Sequence, residues 1–418
     1  MKNLLYILVF FITTAGFSQQ VLTLQSCYDL AEENYPLARQ TDLWEAKSEK
    51  EIQIIKKEKL PKLDLNAQAT YQSDVIQFPL ELPNISIDPP NKDQYRASLD
   101  VSQLIYNGGR IGANTKLKEA ELQTQQQQVA VNLYALRSRI NQSFFNVLLF
   151  QEQTELLVTK MQELEVRLKE IKSGVKYGAV LPATEQAFQA EILKLEQQVS
   201  EANHDRIKAL GNLASLIAKE LEPNTTLERP EVSIISKENS KRPEITLFDY
   251  QENQLETTKA VISKSNYPRL SGFAQVGYGN PGLNMLDNSF QDFYMVGLKM
   301  NWNIFDWGKT KEQKQTIEIS KDILATEKQT FELNNAMQLQ EAKSEIDKLE
   351  ELLQRDDAII ALREQVLEAV ISQFQNGAIS SSEYITELNN LYEAKIGKEV
   401  HQTRLSLAKA HYKLIKGN

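Results

Sequence analysis

The chain has 418 residues and a net charge of −9, so its composition offers no broad basic surface for nucleic acid. Only 16 residues are Gly and 12 are Pro, which argues against a loop-rich architecture and predicts a few long elements. The single cysteine, Cys27, excludes an internal disulfide framework, and we expect it to pack within a helix.

Residues 1–18 have the pattern of an export signal. Lys2 precedes an apolar run from Leu4 to Ile12, which is too short to span a bilayer. Gly16 and Ser18 supply the small residues that precede a cleavage site. We therefore expect an exported mature protein; the alternative interpretation is a buried N-terminal helix.

Two stretches of the chain repeat one pattern 199 residues apart: QLIYNGGR, which ends at Arg110, and NWNIFDWGK, which ends at Lys309. The same offset relates Gly178 to Gly377, and an offset of 207 relates earlier prolines and tyrosines. A constant offset indicates tandem repeats. The predicted division is a first repeat over 19–221, a linker over 222–241 and a second repeat over 242–418.

Each repeat contains two segments in which apolar and polar residues alternate, as in Leu63 and Leu65 against Asp64 and Asn66. Their lengths suit tilted strands that cross a bilayer. The predicted strands cover about 62–72, 94–104, 269–278 and 292–303. Because sheet edges cannot remain unpaired in hydrocarbon, and four strands are too few for a pore, we expect other subunits to complete the sheet.

Each repeat also contains a long helix followed by a returning helix. The predicted helices cover about 110–176, 182–219, 309–375 and 381–416, and the first is long enough to reach roughly 100 Å. A coiled-coil seam runs from Leu157 to Val175 in steps of four and three. In the second repeat, Asp356 and Arg363 occupy positions of this seam. They could fix the register of the helices as a polar pair or face the pore. Alternatively, they lie at the edge of the seam, where their stems pack and their charged groups reach water.

The bends between the paired helices carry glycines that suit the left-handed end of a helix, Gly178 and Gly377. Ser380 and Glu383 form a predicted capping box for the last helix. The neighbouring small and apolar residues either cap the hairpins or form a docking surface for another protein. They are Ala179, Val180, Leu181, Ala378 and Ile379.

The two repeated stretches are interpreted as junctions between a strand and a long helix. Each offers an interfacial aromatic, an Asx residue to cap the helix, a glycine for the turn and a cation facing water. The residues are Tyr106, Asn107, Gly109 and Arg110 in the first junction, and Phe305, Asp306, Gly308 and Lys309 in the second.

Catalytic patterns are missing from the sequence. Its three histidines, His204, His401 and His411, are too far apart to suggest a metal set, and no phosphate-binding glycine loop or nucleophile elbow occurs. We therefore expect no enzyme activity, no cofactor and no metal site.

The ordered set of repeats, alternating strands, bend glycines and junctions, with RPEI at Arg242 opening the second repeat, resembles the TolC family of outer-membrane efflux proteins. The resemblance implies an α+β membrane protein of the cell outer membrane. In this family a homotrimer forms a twelve-stranded β-barrel, continued by an α-helical barrel in the periplasm. It is the passive exit duct of a tripartite efflux or type I secretion system. The implied partners are outer-membrane lipid, a periplasmic adaptor (membrane fusion protein) at the hairpin tips and an inner-membrane RND, ABC or similar pump.

The resemblance also places Glu383 where related proteins carry an acidic residue of the periplasmic constriction, and Thr386 where a second acid often stands. Glu387 is an alternative second acid, about 100° further round the helix. The alternative function is a periplasmic coiled-coil adaptor or scaffold, although an adaptor would carry a lipoyl-like or sandwich domain between its helices.

Overall fold

A computed structural model describes residues 22–76, 89–234 and 242–417. The predicted export signal, most of the connection between the first two predicted strands and part of the linker lie outside the described residues. In the described residues the elements are α1 (Leu24–Asn34), a 3₁₀ turn (Pro36–Arg39), α2 (Gln40–Lys57), β1 (Lys62–Tyr71), β2 (Asp93–Tyr106), α3 (Arg110–Lys176), α4 (Pro182–Ile217), α5 (Pro243–Ser263), β3 (Arg269–Asn280), β4 (Gln291–Asn301), α6 (Lys309–Gln375) and α7 (Ser381–Lys416).

The four strands form one antiparallel sheet in the order β1-β2-β3-β4. Leu65 on β1 lies opposite Leu99 on β2, which lies opposite Val276 on β3, and Val276 pairs with Tyr294 on β4. Because side chains alternate along a strand, this register collects the apolar residues on one face. The predicted alternation therefore produces an apolar face and a polar face.

The polar face carries a hydrogen-bond network across three strands. The Asn66 amide and the Ser98 hydroxyl both donate to the Asp100 carboxylate, the latter over 3.2 Å. The Gln275 amide donates to Ser98 over 3.2 Å. These bonds give neighbouring strands side-chain contacts in addition to the backbone ladder.

The chain divides into two compact units, and each unit takes segments from both repeats. One unit comprises 1–39, 129–243 and 331–418, and the other comprises 40–128 and 244–330. The second unit contains the whole sheet. The sequence repeat therefore describes the order of elements, whereas the compact units reflect packing between the repeats.

The first unit has two apolar clusters. In one, α1 packs against α3 and α4 through Cys27, Phe144 and Leu213, all fully buried. Burial raises the pKa of the Cys27 thiol to about 12, as expected for a packed residue. In the other, the predicted seam residues Leu164 and Ile171 of α3 pack with α4 and α7.

Among the described residues, none of the helices combines the length and the apolar character needed to cross a membrane.

Candidate functional site

The first helical hairpin turns at Gly178, directly after the end of α3. Gly178 has a φ of +77°, the left-handed conformation that glycine adopts without strain. Its N–H donates to the Val175 carbonyl over 3.0 Å, and the Ala179 N–H donates to the Gly174 carbonyl over 2.8 Å. This pair of bonds is a Schellman motif, which satisfies the last carbonyls of the helix.

The second hairpin has the same motif 199 residues later. Gly377 has a φ of +71°, its N–H donates to the Phe374 carbonyl over 3.0 Å, and the Ala378 N–H donates to the Gln373 carbonyl over 2.9 Å. The sequence repeat therefore preserves the hydrogen bonding of the tip as well as its residues.

Gly174 has a role at the first tip that the sequence prediction did not include. A Cβ atom at this position would lie 2.6 Å from Cγ2 of Val180, so a larger residue would push Val180 away from the end of α3. The sequence signal for this close contact is a glycine in the last turn of a helix that otherwise consists of strong helix formers.

An aromatic stack joins the two hairpins next to their tips. The Phe188 ring of α4 lies 6.0 Å from Phe374 of α6 and 5.6 Å from Tyr384 of α7, and Phe374 lies 5.2 Å from Tyr384. Phe188 and Tyr384 are fully buried. The stack therefore fixes the first tip against the second.

A cavity of about 660 Å³ opens beside this stack. Tip residues from both hairpins line the cavity, among them Ala179, Val180, Leu181 and Ile379. The lining also contains a cation, Arg167, and an acid, Glu170. The Leu181 side chain is 74% exposed, so an apolar residue stands open at the tip of this unit.

The candidate gate residue Glu383 is part of the cap of α7. Its carboxylate accepts the Ser380 N–H over 2.8 Å and the Ser380 hydroxyl over 3.0 Å, while its own N–H donates to that hydroxyl over 3.3 Å. These are the two halves of the predicted capping box. Hydrogen bonds to the charged form, first from the Ser380 backbone, lower the pKa of Glu383.

The other two gate candidates have different partners. The Thr386 hydroxyl donates to the Ser382 carbonyl over 2.8 Å within the helix. The Glu387 carboxylate accepts from the Arg363 guanidinium of α6 over 2.9 Å. Glu387 thus faces the neighbouring helix of its own chain, whereas Glu383 is an exposed carboxylate.

Both charged residues on the second seam pair with α7. Arg363 bonds Glu387, and the Asp356 carboxylate lies 2.6 Å from Nδ1 of His401. Asp356 is largely buried and Arg363 is partly exposed. Each pair links α6 to α7 at one fixed register, and neither pairing is predicted by the sequence pattern.

The strand-to-helix junctions use two consecutive left-handed residues rather than one glycine. Gly108 and Gly109 have φ of +69° and +79° in the first junction, and Trp307 and Gly308 have φ of +57° and +83° in the second. A Cβ atom at Gly108 would lie 2.2 Å from Cβ of Tyr267, so this position also requires a close backbone approach. The prediction named Gly109 and Gly308 but not the residue before each.

Asp306 caps α6 from the second junction. Its carboxylate accepts the N–H of Gly308 over 3.0 Å and the N–H of Thr310 over 2.9 Å, and Asn266 donates to it over 2.7 Å. Hydrogen bonds from Thr310, then from Asn266, hold the pKa of Asp306 well below its usual range. In the first junction Asn107 acts through its backbone carbonyl, which accepts the Arg110 N–H over 3.3 Å.

The remaining junction residues are exposed. Tyr106 and Phe305 present their rings at the surface of the unit, with Phe305 packed edge-on against Trp307 at 4.8 Å between centroids. Arg110 and Lys309 stand in the first turn of the long helices with exposed side chains.

Within the described ranges, no group of three His, Cys, Asp or Glu side chains is arranged to hold a metal ion.

Comparison with known proteins gives a family match for part of the chain and a fold for nearly all of it. Residues 27–219 match the family model described as Outer membrane efflux protein. No curated protein sequence matches the chain. Among solved structures, CusC superposes with a TM-score of 0.69 at 12% identity, covering 94% of this chain and 92% of CusC.

Two further solved structures give the same result. The CmeC outer membrane channel of Campylobacter jejuni has a TM-score of 0.66 at 16% identity, with 94% of this chain and 85% of CmeC covered. The MtrE outer membrane channel of Neisseria gonorrhoeae has a TM-score of 0.64 at 17% identity, with 94% and 89% covered. The predicted fold class, two strands and a long helical hairpin in each of two repeats, is confirmed. Residues 27–219 thus match the outer membrane efflux protein family, and the whole chain has the fold of these solved outer membrane channels.

Proposed function

We propose that this protein is the outer-membrane exit duct of a tripartite efflux or type I secretion system, with its helical part in the periplasm. Cargo passes from a periplasmic adaptor and an inner-membrane pump through the duct without chemical change. The observation that carries this proposal is the open four-stranded sheet, whose apolar face lies exposed in the single chain.

The exposed apolar face fits a bilayer. Leu65 is 77% exposed, and Val296 and Leu298 are both 70% exposed, although they lie mid-strand in a regular ladder. Burying such side chains in hydrocarbon contributes about 1.5–3 kcal/mol each. The strands have 10 to 14 residues, the length that a tilted strand needs to cross the hydrocarbon core.

The edges of the sheet require more copies of the chain. In the described residues β1 and β4 each pair with one strand only, and unpaired backbone groups cost several kcal/mol in lipid. Two copies would supply eight strands and three would supply twelve, and the larger barrel leaves a wider lumen for the polar face. We therefore propose a homotrimer.

An apolar stripe along α6 supports the same assembly. At about 100° per residue, its exposed apolar side chains fall within an arc of about 80° on one side of the helix. Those in the first compact unit are Leu333, Met337, Ile359, Leu362 and Val366. A narrow stripe of this kind suits a neighbouring long helix, and we assign it to the next copy of the chain.

We propose that the hairpin tips bind the adaptor. Five tip residues line the cavity beside the aromatic stack: Ala179, Val180, Leu181, Gly377 and Ile379. The exposed Leu181 side chain offers an apolar contact. Replacing Leu181 with Asp should weaken capture of the adaptor while leaving the oligomer intact. Replacing the exposed Gln186 of α4, the helix that Leu181 precedes, with Asp is the matched control. Equal capture by both variants and the wild type would remove the tips from the docking surface.

We also propose that three copies of Glu383 form an acidic ring at the periplasmic end. Glu383→Gln should reduce cation selectivity and block by divalent cations in single-channel recordings, because the ring loses three charges. Glu185→Gln, near the start of the first returning helix, is the control. If cation selectivity and block by divalent cations are unchanged in Glu383→Gln, Glu383 caps α7 and forms no acidic ring.

The proposed function is tested by fractionation. The protein should occur in the outer-membrane fraction as an oligomer that survives SDS at room temperature and dissociates on heating. A soluble periplasmic monomer would reject the duct and favour the adaptor or scaffold alternative.

A further inference from the structure

A basic hollow occupies one end of the polar face of the sheet, where α2 leads into β1 and β4 leads toward α6. Its volume is about 360 Å³, and its lining contains three cations from three strands: Lys62, Arg269 and Lys299. Glu58 is the one acid of the lining. The remaining lining residues include hydrogen-bonding groups of Ser102, Ser271 and Asn301. A chain with a net charge of −9 thus concentrates positive charge at this place.

The strand register explains how these cations meet. Lys62 lies opposite Ser102, Lys299 lies opposite Ser271, and Arg269 lies opposite Asn301. Alternation puts all of these side chains on the face opposite Leu63 and Leu298. The three cations therefore belong to the polar face at one end of the ladder, not to the lipid-facing side.

None of the three cations is neutralised within the described part of the chain. Lys62, Arg269 and Lys299 make no ion pair there, although many other lysines do, such as Lys259 with Glu318 at 2.5 Å. The nearest acids on the same face of the strands are Asp64 and Asp100, which lie opposite each other two residues along β1 from Lys62. Asp100 already accepts hydrogen bonds from Asn66 and Ser98.

From this arrangement we infer that the hollow is a site for anionic groups, such as carboxylate, phosphate or sulfate, on solutes inside the duct. Lysine and arginine bind such groups through charge-assisted hydrogen bonds, and hydroxyl and amide groups can supply further donors. This inference rests on the proposed function, because only a closed barrel turns the polar face into a lumen.

Closure by further copies would strengthen the site. When β4 of one copy pairs with β1 of the next, Lys299 and Arg269 on one side of the seam approach Lys62 on the other. Three copies then form a ring of nine cations at the junction between barrel and helices. Such rings of basic side chains favour anions in pores.

The test is the reversal potential of the purified oligomer in a planar bilayer of zwitterionic lipid under a KCl gradient. Lys62→Gln and Lys299→Gln should each lower the chloride-to-potassium permeability ratio at least about twofold, because a single unit charge about 8 Å from one ion in water already gives about that factor and each substitution removes three charges from the trimer. The change should be larger at low ionic strength, because salt screens exposed charges. Lys299→Arg should keep the wild-type ratio.

Lys309→Gln is the matched control, since it removes an exposed cation of the adjacent helix that does not line the hollow. A double variant, Lys62→Gln with Lys299→Gln, that conducts with the wild-type ratio would overturn the inference alone. A wild-type protein that forms no conducting oligomer would overturn the proposed function and the inference with it. A shift in the permeability ratio that occurs only in bilayers containing acidic lipid would assign the hollow to lipid headgroups and overturn the inference.

Discussion

Replacing Phe188 with Ala should uncouple the two hairpin tips. The ring is fully buried and stacks on Phe374 and Tyr384 at 6.0 and 5.6 Å between centroids. Removal of a buried phenyl ring costs about 3–5 kcal/mol, to which two ring pairs contribute about 0.5–1.5 kcal/mol each. At about 1.4 kcal/mol per factor of ten, local opening of the tip should become about two to three and a half orders of magnitude more frequent.

Hydrogen exchange measured by mass spectrometry on the intact oligomer is suited to this effect. In Phe188→Ala, amides near the start of α7 should exchange faster together with those of α4, because Tyr384 loses a stacking partner on the other hairpin. Gln186→Ala removes an exposed side chain two residues away and should change protection by less than about threefold, since surface substitutions stay within ±0.5 kcal/mol.

Unchanged protection at the start of α7 in Phe188→Ala would refute the coupling. The same variant should also lose adaptor capture, because the tip cavity lies against the stack. Loss of capture with unchanged exchange would show that the buried Phe188 ring shapes the tip cavity without coupling the two tips.

Two further predictions concern the helix ends. Asp306→Asn should lower the thermal stability of the oligomer at pH 7, and the difference from wild type should shrink as the pH falls below about 4. Because the folded-state pKa of Asp306 is lowered, the ionised carboxylate stabilises the fold above the unfolded-state pKa, and this stabilisation is lost as the pH falls toward the folded-state pKa. An equal difference in melting temperature between variant and wild type at pH 7 and at pH 3 would contradict this. Gly377→Ala should destabilise the second tip by about 1–2 kcal/mol because of its positive φ, whereas Gly397→Ala, a helical glycine with open space beside it, should stabilise α7 by up to about 1 kcal/mol. Chemical denaturation that gave both alanine variants the same sign would be inconsistent with the tip geometry.

Much of the fold could be predicted because its signals are local and occur twice. The alternation of Leu63 and Leu65 with Asp64 and Asn66 produced the two faces of the sheet, since side chains on a strand alternate without regard to the partner strand. Likewise, Gly178 and Gly377 adopt the left-handed conformation that their place after a long helix predicts.

The missed features depend on neighbours that are distant in sequence or on backbone strain. The pairing of Asp356 with His401 joins positions 45 residues apart, and no local pattern fixes the register between two long helices. The basic hollow brings Lys62 together with Arg269 and Lys299 only after the strands have paired. Trp307 has a positive φ, which sequence rules reserve chiefly for glycine, so the second left-handed residue of that junction was not predicted.

Cross-linking across the edges of the sheet tests the central claim most directly, because β1 and β4 must meet between copies if the barrel closes. The native Cys27 is fully buried and does not interfere. A chain carrying Gln68→Cys on β1 and Met295→Cys on β4, both on the polar face, should give a ladder of two and three linked chains with a short bis-maleimide in outer membranes. Either single variant should give no cross-linked product larger than two subunits. A double variant that gives no intermolecular product, or a ladder that continues beyond three chains, would contradict the closed homotrimer.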